Sequence, residues 1–100
     1  MAYRISFARR AARDLDQLFD SINAPESEAA VRWFLRLQDT IGLLASTPLM
    51  GMVTHEDASR RQLIYGNKPH FYRVIYKVDD DARLVTVLQI RHGKRAKEVQ

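Results

Sequence analysis

The most informative stretch is Phe71-Tyr72-Arg73-Val74-Ile75-Tyr76-Lys77-Val78, in which β-branched and aromatic residues predominate. This composition is typical of a β-strand. Two similar runs flank it, Arg60 to Tyr65 before it and Leu84 to Arg91 after it. The connections contain Gly66-Asn67-Lys68-Pro69 and Asp79-Asp80-Asp81, residues that favour turns. Because both connections are short, we expect the three strands to form an antiparallel meander.

The first half of the chain predicts one strand and two helices. Ala2 to Phe7 alternates apolar and polar residues, as a strand with one buried face does. From Ala8 the apolar period becomes that of a helix, which Asn23-Ala24-Pro25 interrupts, and Pro25 suits the first turn of a second helix. The two apolar stripes are formed by Ala11, Leu15, Leu18, Phe19 and Ile22, and by Ala30, Trp33, Phe34, Leu37, Ile41, Leu44 and Ala45.

The element order is therefore β-α-α-β-β-β, with residues 52–58 expected to form a loop. This order predicts an α+β protein in which an N-terminal helical hairpin packs on one face of an antiparallel sheet. A chain of 100 residues supports one hydrophobic core, so we expect residues 1–100 to form a single domain.

Composition excludes several classes of function. The chain has no cysteine, which excludes disulfides and thiolate chemistry. It has neither an apolar run long enough for a membrane span nor an N-terminal signal sequence, so we expect a cytoplasmic protein without a membrane partner. The three histidines lack metal-ligand spacing and there is no glycine-rich phosphate loop, so we expect no metal and no cofactor.

The positive charge lies in the second half of the chain. Residues 1–50 carry six basic and six acidic residues, whereas residues 51–100 carry ten basic and six acidic residues. A local excess of one sign attracts an anionic partner, either a nucleic acid or an acidic protein segment. The alternative interpretation is a solvated basic tail that only aids solubility.

Several basic residues are candidates for one face of the sheet. If Tyr72, Val74, Tyr76 and Val78 face the helices, then Arg73 and Lys77 share the other face with Phe71 and Ile75. Arg60 and Arg61 are adjacent and must point to opposite faces, as must Arg91 and His92. The pattern does not decide which member of each pair lies beside Arg73, and each arginine could also be an ordinary solvated side chain.

His92 is the candidate for proton transfer, because histidine titrates near neutral pH. It could instead order the end of the last strand by a hydrogen bond to the backbone. Glu56, in the expected loop, is the only acid we can pair with it. The neighbouring His55 and Asp57 are more typical of solvated loop residues.

The stretches Leu63 to Asp79 and Ile90 to Arg95 resemble the ParE branch of the RelE/ParE toxins. The Tyr72-Arg73 strand, the acidic turn and the terminal His92-Gly93-Lys94-Arg95 are the most specific parts. The first half also fits, so the resemblance spans nearly the whole chain. It implies the toxin of a bacterial type II toxin–antitoxin module, which inhibits growth when free, is neutralised by a cognate antitoxin and contacts DNA only through that antitoxin.

Two mechanisms are implied by the resemblance. ParE-like members poison DNA gyrase, which the motifs favour, whereas RelE-like members are endoribonucleases that cut mRNA on the ribosome. In the second case Arg73 matches an arginine of the RelE-like nucleases, and Arg91 with His92 lies near their C-terminal catalytic position. The chain departs from these nucleases because it lacks a terminal tyrosine and a dense lysine cluster. The expected residues for binding a target or an antitoxin are Arg60, Arg61, Phe71, Arg73, Lys77, Arg91, Lys94 and Arg95.

A third hypothesis is that the protein is a basic RNA-binding module that uses the sheet face. Such modules stack bases on aromatic side chains beside the cations. Only Phe71 is available for this on the strand that carries Arg73, which makes this reading the weakest of the three.

Overall fold

The computed structural model describes residues 2–67 and 70–93. These residues form two α-helices and five β-strands, joined in places by short 3₁₀ turns. In chain order they are β1 (Arg4–Phe7), α1 (Arg9–Ser21), α2 (Glu28–Gly42), β2 (Met52–Val53), β3 (Arg61–Asn67), β4 (His70–Asp79) and β5 (Leu84–His92). The α+β class and the succession of elements predicted from the sequence are confirmed, with one short strand added.

The five strands form one mixed sheet in the order β1-β5-β4-β3-β2. The antiparallel meander of β3, β4 and β5 is confirmed. The expectation of a wholly antiparallel sheet needs correction, because β1 pairs with β5 in parallel, with Arg4 opposite Leu84. The helices cover one face of the sheet, and they lead the chain from β1 at one edge to β2 at the opposite edge. Part of the expected loop also forms β2, which pairs with β3 through Met52 and Val53.

Helix α2 begins at a side-chain cap. The Oγ atom of Ser27 accepts a hydrogen bond from the backbone N–H of Ala30 at 3.2 Å, which satisfies one of the free donors of the first turn. Pro25 lies before this cap in the 3₁₀ turn Ala24–Glu26, so the expectation that it occupies the first turn of α2 is wrong. Asn23, two residues after the end of α1, adopts a left-handed backbone conformation with φ of 63°, so the helical conformation does not continue past it.

The hydrophobic core lies between the two helices and the sheet. The helices contribute Ala11, Leu18, Phe34, Leu37 and Ile41, and the strands contribute Val74, Tyr76, Val85, Val87 and Ile90. The aromatic rings of Phe19 and Phe34 join the two helices edge to face, with 5.1 Å between ring centroids. Within the described residues, neither helix has the length and apolar character required to cross a membrane.

A β-bulge in β5 changes which side chains reach the core. Ile75 lies opposite Gln89 and Tyr76 lies opposite Val87, so Leu88 is an extra residue in the strand. As a result Val87 and Ile90 both face the helices, although strict alternation would separate them. The bulge therefore reverses the alternation for the last residues of β5.

Candidate functional site

The face of the sheet opposite the helices carries the candidate site, and we call it the open face. Residues directly opposite each other in an antiparallel pair project to the same side, so the positions on this face follow from the register. They include Gln62, Ile64, Phe71, Arg73, Ile75, Lys77, Thr86, Gln89 and Arg91.

Arg73 lies near the middle of the open face, between Ile64 on β3 and Arg91 on β5. Its side chain is only 11% exposed and its guanidinium is held on two sides. The Nε atom donates to Oε1 of Gln62 at 2.6 Å, and Nη2 lies 3.2 Å from both carboxylate oxygens of Glu56. Arg73 is therefore fixed in position by a neutral and an anionic partner.

Glu56 reaches Arg73 from the loop that follows β2. The buried Thr54 anchors this loop, because its hydroxyl donates to the carbonyl of Asp57 at 2.8 Å and accepts from the N–H of Asp57 at 3.1 Å. A hydrogen bond from its own backbone N–H, followed by the interactions with Arg73 and Arg91, holds the pKa of Glu56 below its ordinary value of 4.5. The carboxylate is thus charged at neutral pH and lies in the field of two arginines.

Arg91 and His92 project to opposite faces of the sheet. Arg91 lies opposite Arg73 on the open face. His92 lies opposite Tyr72 on the helix side, where the two rings meet edge to face with 5.0 Å between centroids. The sheet therefore separates His92 from Glu56, and the acid–base pair considered from the sequence is not assembled.

The remaining expected binding residues are distributed over several surfaces. Arg60 precedes β3 and forms an ion pair with Asp57 at 3.3 Å. Arg61 points to the helix side, where it donates to the carbonyl of Gly51 at 2.7 Å, so it does not join Arg73. Phe71 and the exposed Lys77 share the open face with Arg73. Lys94 and Arg95 lie outside the described residues.

A groove of about 570 Å³ opens on the helix side at the ends of β4 and β5. Its walls are Ser21, Ile22, Ala30, Trp33, Tyr72 and His92. The ring of Trp33 contacts Tyr65 and Tyr72 edge to face, at centroid distances of 5.2 and 5.6 Å. The apolar stripe indicated that Trp33 would be core, but periodicity shows which side of a helix is apolar and not how deeply a residue is buried.

In the part of the chain that the structure describes, the acid and histidine side chains do not converge on a metal site. Within residues 2–67 and 70–93, no group of three or more histidine, aspartate or glutamate side chains could hold a metal ion.

The sequence of residues 5–97 matches the family described as the ParE toxin of the type II toxin–antitoxin system parDE. The chain belongs to the ParE toxin family. It is therefore a toxin of a type II toxin–antitoxin system, and the resemblance seen in its strand and C-terminal motifs is confirmed. No curated protein sequence matches the chain.

Solved structures of both branches share this fold. The chromosomal ParDE system of P. aeruginosa aligns with a TM-score of 0.72 and 18% identity, covering 91% of this chain and 96% of that one. A double mutant of free E. coli RelE gives a TM-score of 0.68 and 16% identity, with coverages of 97% and 90%. The RelBE2 complex of Mycobacterium tuberculosis aligns with a TM-score of 0.61 and 26% identity, covering 92% of this chain and 99% of that one. The ParE toxin thus shares its architecture with RelE-type toxins.

Proposed function

We propose that this ParE toxin inhibits growth by binding and poisoning DNA gyrase, and that a cognate antitoxin neutralises it. The position of His92 carries the proposal. Cleavage of RNA through its 2′-hydroxyl requires a base, an acid and cations around the phosphate. The imidazole of His92 lies on the opposite face of the sheet from Arg73 and Arg91, and this separation supports a function that does not need the three groups on one phosphate.

The open face suits contact with a protein target. Arg91 and Lys77 provide positive charge, Phe71 and Ile64 provide apolar area, and Ile64 is 51% exposed. Cations beside exposed apolar side chains are typical of protein–protein contact surfaces.

A cognate antitoxin is the second partner in this proposal. Related solved structures include the intact RelBE toxin–antitoxin complex of E. coli. In our toxin the aromatic groove beside Trp33 and Tyr72 offers a concave apolar surface on which a partner side chain could be buried. The antitoxin is then expected to be the product of an adjacent reading frame and to co-purify with the toxin.

The test measures the supercoiling activity of gyrase and the integrity of mRNA in parallel. Purified toxin is added to a gyrase supercoiling assay at increasing molar ratio, and transcripts are followed in a coupled translation reaction. We expect loss of supercoiling with intact transcripts, and addition of the antitoxin should restore supercoiling. Full gyrase activity at a stoichiometric excess of folded toxin would refute the proposal.

The second candidate is a ribosome-dependent mRNA endoribonuclease. The observation that favours it is the direct opposition of Arg73 and Arg91 on the open face, since two guanidinium groups can stabilise a charged phosphorane. It predicts cuts in translated transcripts that weaken with Arg73→Ala. The variant His92→Ala is the internal comparison, because a side chain on the helix side should not alter cleavage by groups on the open face.

A further inference from the structure

The cross-strand pairing of Arg73 with Arg91 places two positive charges next to each other. The two residues lie directly opposite each other on β4 and β5, and like charges in such positions repel. Arg73 is also nearly buried, so little water reaches its guanidinium. Two adjacent cations of this kind form a site that favours an oxyanion.

Glu56 supplies that oxyanion from within the chain. Both of its carboxylate oxygens lie 3.2 Å from the Nη2 atom of Arg73, and Arg91, the cross-strand neighbour of Arg73, is near enough to help to lower the pKa of Glu56. The Glu56 side chain is itself 60% exposed. An ion pair with one exposed partner contributes little to stability. Its larger effect is on which outside anions can approach the arginines.

We propose that Glu56 is a specificity-determining residue that excludes nucleic-acid phosphates from the open face by acting as a built-in counterion for Arg73 and Arg91. A phosphate that approaches this site meets a carboxylate of the same sign on the guanidinium it would need. The open face then keeps Lys77 and its apolar residues for a protein partner. This inference rests on the proposal of a protein target and opposes the mRNA candidate, but it does not require that the protein target be gyrase.

The test uses the full chain and a fluorescent single-stranded RNA oligonucleotide, with affinity measured by anisotropy over a range of salt concentrations. Glu56→Gln keeps the shape and the hydrogen-bond acceptor but removes the charge. Each phosphate contact adds about 0.7 to the slope of log affinity against log salt for a single strand. Two freed arginines should therefore steepen the slope by about 1.4, so the gain in affinity over the unmodified toxin should be about sevenfold larger at 50 mM than at 200 mM salt.

Two further variants control for net charge and for the site. Asp39→Asn makes the same change in net charge on the exposed surface of α2 and should bind RNA as the unmodified toxin does. The double variant Glu56→Gln/Arg91→Ala should lose part of the gain, because one of the two cations is gone.

Glu56→Ala provides a second way to remove the carboxylate if the glutamine variant does not fold, since the side chain is mostly exposed. Circular dichroism and the urea midpoint establish folding for each variant. Equal RNA affinity and salt slope for the unmodified toxin and for folded Glu56 variants would overturn the proposal. A gain that Asp39→Asn reproduces in full would also overturn it, because net charge would then explain the binding.

Discussion

Removal of one buried hydroxyl group is expected to destabilise the toxin strongly. Tyr76 is fully buried, and its hydroxyl donates to the carbonyl of Pro48 at 2.7 Å and accepts from the N–H of Gly51 at 2.9 Å. Tyr76→Phe leaves both backbone groups without this partner. A buried polar group left unsatisfied costs about 1–3 kcal/mol. Because Gly51 is buried and Pro48 is partly buried, we expect a total loss of about 2–3 kcal/mol.

The loss is measured by urea unfolding monitored by circular dichroism, and by thermal unfolding. For a domain of this size, about 2–3 kcal/mol corresponds to a fall in Tm of roughly 10–20 °C. Tyr65→Phe is the matched control, because its hydroxyl lies 3.5 Å from the carbonyl of Trp33 and makes at best a weak hydrogen bond. If the two variants have the same stability, the hydroxyl of Tyr76 does not anchor the chain at residues 48–51.

Two other expectations concern the same loop region and the open face. A Cβ atom at Gly51 would lie 2.6 Å from both the carbonyl oxygen of Gln62 and the hydroxyl of Tyr76, so Gly51→Ala should cost about 1–3 kcal/mol in urea unfolding; a neutral effect would show that the loop moves freely. The pKa of Glu56 is lowered first by its own backbone N–H and then by Arg73, so the stabilisation from these interactions is present above the unfolded pKa of about 4.5 and is lost as the pH falls through the folded pKa. The difference in unfolding free energy between the toxin and Glu56→Gln should therefore be constant near neutral pH and begin to shrink as the pH falls below 4.5, and a difference that stays constant or grows as the pH falls below 4.5 would contradict this account.

The sequence predicted the local elements because each has its own apolar period. The helical stripes through Leu18 and Leu37 and the alternation around Val74 depend only on neighbours within a few residues. The parallel pairing of β1 with β5 depends instead on residues far apart in the chain, such as Arg4 and Leu84, and no local pattern encodes it.

Only part of the candidate site could be predicted from the sequence, for a related reason. Arg73 was expected on the open face from simple alternation, and it lies there. Which of Arg91 and His92 accompanies it depends on the bulge at Leu88, which alternation cannot reveal. The contact between Glu56 and Arg73 depends on the path of a loop anchored by Thr54, and a single acidic residue in a loop carries no signal of its partner.

The parallel pairing of β1 and β5 also has a consequence for how the toxin is made. The ribosome synthesises β1 early, but its only strand neighbour is the last described strand to emerge. Helix α1 also makes a contact that forms late, because the carboxylate of Asp14 accepts a hydrogen bond from the backbone N–H of Ile90 in β5. Contacts of such long range slow folding, since the intervening chain must first be closed into a loop. A nascent toxin therefore cannot complete its sheet, or its open face, until translation has passed β5.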